Sequence, residues 1–165
     1  MIDLRQLIEF GSRTAEQIFR RQGYFVPMWH AILPDGHHKV IPQTVDDKDM
    51  QLALVRSAFE IFNAQAYVFI SEAWTLYAET RNEAEREIKI KQYQREGIRG
   101  NPDRVEVLWL QAEDQTGLLS ARRKIIRPGK GNPTLGPLEF EEMQSWTIQG
   151  RIIGLLPRPP RTQVQ

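Results

Sequence analysis

The sequence predicts an α+β fold, a mostly antiparallel sheet built from hairpins with two main helices packed on one face. Three observations carry that expectation. Two segments repeat their apolar residues at helical spacing, and several β-branched and aromatic runs are separated by Asp/Gly turns. Strands and helices do not alternate regularly, which argues against a doubly wound parallel sheet.

The first segment is amphipathic. Leu4, Leu7, Ile8, Ala15, Ile18 and Phe19 fall on one face at 3.6 residues per turn. Asp3 can cap its start, Arg20 and Arg21 suit the negative end of the helix dipole, and Gly23 suits a left-handed stop. Residues 24–33 then read as a strand, Pro34-Asp35-Gly36 as a turn, and residues 37–41 as the returning strand. Pro27 and Pro42 confine this hairpin to a sheet edge or to strand ends. Asp46, Asp47 and Asp49 open a second helix whose inward face is Leu52, Val55, Phe59 and Phe62, widened by Met50, Ala53 and Leu54.

Residues 66–78 form the expected central strand. The mixed-charge stretch 79–100 fits either a solvated helix held by neighbouring opposite charges or an extended loop. Residues 105–112 and 118–126 read as a hairpin around Asp114-Gln115-Thr116-Gly117, residues 128–137 as a Gly/Pro loop, and residues 147–156 as a last strand. One domain over residues 1–156 and an extended Pro/Arg tail over 157–165 are expected.

Composition narrows the function classes. The 165 residues hold 22 basic and 21 acidic groups, a net charge of +1, which argues against a uniformly basic nucleic-acid binder. The absence of cysteine removes disulfide scaffolds, thiolate zinc sites and cysteine nucleophiles. No run reaches the roughly 18–20 apolar residues of a membrane helix. Met1-Ile2-Asp3-Leu4-Arg5 lacks the basic-then-apolar pattern of a secretory signal. A cytoplasmic location without a membrane partner is therefore expected. Gly129-Lys130-Gly131 lacks both the upstream glycine and the following Ser/Thr of a phosphate loop, so no cofactor is expected.

Three constellations have chemical content. His30 and His38 are candidate metal ligands if the hairpin register brings them together. With a two-residue turn His37 opposes Pro34 and His30 lies four residues, about 13 Å, further along; with a three-residue turn His38 opposes Ile32, and His30 and His38 become diagonal neighbours at about 7–8 Å. Glu72, placed among aliphatic neighbours by strand alternation, is the candidate catalytic carboxylate, with a structural arginine pair as the plainer alternative. Arg122, Arg123, Lys124, Arg127 and Lys130 form a basic run, a candidate nucleic-acid surface. Four tryptophans, Trp29, Trp74, Trp109 and Trp146, suit the core, and an exposed one would mark an interface. The leading expectation is a non-catalytic domain acting through contacts with itself or another protein. Nucleic-acid binding through 122–130 and metal-assisted hydrolysis around His30, His38 and Glu72 are the alternatives.

Overall fold

A computed structural model describes residues 2–76, 80–141 and 153–158. The chain runs through α1 (Leu4–Gln22), β1 (Met28–Ile32), β2 (His38–Pro42), α2 (Lys48–Phe62), β3 (Ala66–Leu76), α3 (Glu83–Glu96), β4 (Arg104–Asp114), β5 (Leu118–Ile126), β6 (Thr134–Leu135) and β7 (Glu139–Glu141). The fold is α+β. Its strands pair antiparallel in the order β2-β1-β3-β4-β5-β6, with β7 also on β5, and the sheet curls into a half-barrel.

Local chemistry sets the helix ends. The Asp3 carboxylate accepts from the backbone of Arg5 and Gln6, and Gly23 closes α1 at φ 78°. A side chain there would also collide with Asn132, whose amide donates to the Arg20 carbonyl. Asp47 caps α2 through the Met50 N–H. The stretch 79–100 contains a helix, α3, opened by Asn82 and buried at none of its residues.

Alternation splits the sheet into two faces, each with its own core. On the first, Leu7, Ile8, Ala15 and Phe19 of α1 pack against Val68, Ile70, Leu108, Leu110 and Ala121. On the second, Val55 and Phe59 of α2 pack against Trp29, Ala31 and Tyr67. The two long N-terminal helices therefore lie on opposite faces rather than on one. The reason is visible in β3, where Ala66, Tyr67, Val68 and Ile70 are all buried: a strand apolar on both sides needs cover on both. The described residues hold a third helix, α3.

Other details differ from expectation at strand ends. β1 begins only at Met28, because the N–H of Phe25 goes to Glu72 rather than to a ladder. The expected strand over 147–156 falls largely outside the described residues. Its described part, 153–156, is not strand and docks on the second face: Leu155 is buried there, and Gly154 N–H donates to Glu113 at 2.9 Å. Glu113 also accepts from the Tyr67 hydroxyl. Trp146 and residues 159–165 of the expected tail lie outside the described residues as well. Among the described residues no helix is long and apolar enough to cross a membrane.

Candidate functional site

The hairpin adopts the three-residue turn. Ile32 pairs with His38 and His30 with Val40, and the Leu33 N–H closes on the His37 carbonyl at 2.9 Å. His30 and His38 thus share the α1 face, and Nε2 of His30 lies 2.5 Å from Nδ1 of His38. Phe10 of α1 covers the pair, its ring centroid 5.0 Å from His30 and 5.2 Å from His38. His30 is buried, and its Nδ1 meets no partner. A buried orphan lone pair is more tolerable than a buried orphan N–H. That assigns the His30 proton to Nε2, which donates to His38. Burial, reinforced by the neighbouring His38, pushes the His30 pKa down to about 4.

The two nitrogens stand closer together than the ligands of one zinc ion do. Two ligands of a tetrahedral zinc at about 2.0–2.1 Å stand about 3.3 Å apart, wider than the observed separation. No cluster of three or more His, Asp or Glu residues suited to a metal ion exists among the described residues. Glu72 is elsewhere. It opposes Leu108, four residues along β3 from Val68, the partner of His30, or about 13 Å. Its Oε1 accepts from the Phe25 N–H at 2.9 Å, and its Oε2 lies 3.9 Å from Arg127. Glu72 thereby ties the α1–β1 connection to the sheet. Arg104 lies over the Trp74 ring at 4.7 Å.

The basic run divides between the two faces. Arg122 pairs with Glu139 and Glu141 at 3.4 and 3.1 Å. Arg123 reaches the opposite side, where it donates to Ser12, Glu16 and the Gly136 carbonyl. Its hydrogen bond holds the Glu16 carboxyl below the usual range. Arg127 makes a forked pair with Glu106, which likewise lowers the Glu106 pKa. Lys124 is half-buried, and Lys130 is exposed in the 128–133 loop. Three of the five cations thus face carboxylates of their own chain instead of presenting one continuous basic surface.

The surface feature that sequence reasoning misplaced is on α2. Its inward side is Gln51, Val55 and Phe59, all buried. Met50, Ala53 and Leu54 do not widen that face; they point outward. Met50 is 56% exposed, Leu54 48% and Ile61 77%, and these residues share one side of the helix at spacings of four and seven. Phe62 is also exposed, beneath the Lys39 ammonium at 4.7 Å. The spacing of Met50, Leu54 and Ile61 was present in the sequence, a second stripe about 120° from the first.

Comparison with protein families, with characterised proteins and with solved structures found no match.

Proposed function

We propose that this chain is a non-catalytic interaction domain whose partner is a second copy of itself, met along the outer side of α2. The second apolar stripe of that helix carries the reading. A helix packed on a sheet needs one apolar face, and another left in water marks a contact surface. The flanking charges favour a copy of the same helix. Antiparallel association about a two-fold axis near Ser57 sets Leu54 against Ile61 of the partner and Arg56 against the partner's Glu60. All four residues are exposed, and the small Ala53 and Ser57 allow close approach.

The edge of β2 is the weaker surface. Its odd-numbered residues bond inward to β1, which leaves His38, Val40 and Pro42 facing the open side. Proline has no N–H to give there, and Lys39 is charged, both of which discourage strand addition.

Light scattering after size exclusion, over a concentration series, tests the proposal. The wild type should run as a dimer at tens of micromolar, and Leu54→Glu or Ile61→Glu should run as a folded monomer. A wild type that stays monomeric throughout overturns it.

A further inference from the structure

Behind α2, on its sheet-facing side, is a cavity of about 280 Å³ lined by Pro27, Trp29, Gln43, Lys48, Gln51, Leu52, Phe69 and Ser71. Its position is independent of the outer stripe. The volume is just under the usual range of about 300–1,000 Å³ for small-molecule sites, which suits a one- or two-ring guest. Two aromatic rings form part of the wall: Trp29 and Phe69 face each other across neighbouring strands, with centroids 4.8 Å apart.

The polar groups around these rings are fixed by the protein. Gln51 is buried, and its Oε1 accepts from the N–H groups of Thr44 and Val45 at 2.9 and 3.2 Å, so its amide NH₂ is the end that remains to donate. Lys48 adds a positive charge beside it. The Trp29 indole N–H is buried and meets no acceptor in the protein. Leaving such a donor unmade is costly, and an acceptor oxygen on a guest would recover that cost. Gln43 and Ser71 already donate to the Val45 and Glu72 carbonyls; aromatic walls, the remaining donors of Gln51 and Trp29 and one ammonium together describe a receptor for a flat anion. We propose that this cavity binds a small aromatic carboxylate, with its ring against Trp29 and Phe69 and its carboxylate toward Gln51, Lys48 and the Trp29 N–H.

The test is a titration of the ¹⁵N-labelled chain with 1-naphthoate and, separately, with 1-naphthalenemethanol. The Trp29 indole N–H signal, assigned by Trp29→Phe, is the readout. Naphthoate should shift that signal saturably and bind at least tenfold more tightly than the alcohol. Lys48→Met should weaken naphthoate about tenfold and leave the alcohol unchanged. Leu52→Trp and Ser71→Leu each fill the cavity from a different wall, and whichever folds should abolish the shift. The proposal is overturned by a signal that neither probe moves, by equal affinity for acid and alcohol, or by a shift that survives in the filled variants.

Discussion

At the scale of single residues, His30 couples folding to pH. Its imidazole is buried against Phe10 and His38, and its pKa is held at about 4 against an ordinary 6.5. Between those values the unfolded chain binds a proton that the folded chain refuses. Stability from this group is therefore complete above pH 6.5 and declines as the pH falls toward 4. The linkage amounts to about 2 kcal/mol between pH 7 and pH 5. Asp3, Glu9 and Arg13 line the same surface beside His38, so the comparison must be differential. Urea unfolding of the wild type at the two pH values should show that loss, and His30→Leu should remove it. Equal slopes in the two proteins would mean that His30 is protonated in the native state. Glu72 illustrates the opposite outcome for a residue singled out by its setting. An acid among aliphatic neighbours has to find a partner, and here it finds the Phe25 N–H and Arg127.

At the scale of elements, the closeness of α1 to the sheet depends on Gly11. A β-carbon at that position would lie 3.0 Å from Cδ1 of Ile70 and 3.3 Å from Cγ1 of Val68. Leucine there would gain about 1 kcal/mol in helix propensity but overpack the interface by about 1–3 kcal/mol or more, because a whole isobutyl group must find room. Gly11→Leu should therefore lower the urea midpoint; a raised midpoint would mean that α1 lifts from the sheet at no cost. The elements that were legible in the sequence are those whose burial imposes a period. α1, the first hairpin, α2 and β3 announce themselves this way, and the Pro34-Asp35-Gly36 turn fixes the register that joins His30 to His38. α3 does not, because it buries no residue and so has no apolar stripe to read. Its available signal was local: Asn82 caps the Glu85 N–H while the Glu85 carboxylate accepts from Arg81 N–H, a reciprocal capping pattern. β6 and β7 are too short to show alternation. The outer stripe of α2 was written in the spacing, but assigning all its apolar residues to one broad face concealed it. The cavity behind α2 was not legible, since it depends on how far a helix stands from a sheet.

At the scale of the whole molecule, net charge decides whether two copies repel. With 22 basic and 21 acidic groups the chain is close to neutral, so long-range repulsion offers little resistance to self-association. The short-range term is then set by α2, and the absence of cysteine makes its geometry directly measurable. A disulfide requires α-carbons about 4.4–6.8 Å apart, a separation reached across a two-fold axis only by residues close to it. Ser57 sits near the proposed axis and is exposed. Ser57→Cys should give a disulfide-linked dimer under mild oxidation, as the sole thiol in each chain. Lys130→Cys, exposed in the 128–133 loop, is the control for chance collision and should cross-link far more slowly at the same concentration. Combining Ser57→Cys with Leu54→Glu should return the rate to that of the control, because the cysteine remains while the apolar contact that aligns it is lost. Equal rates for Ser57→Cys and Lys130→Cys would place the two-fold axis away from α2, and the outer stripe would then have to meet some other partner.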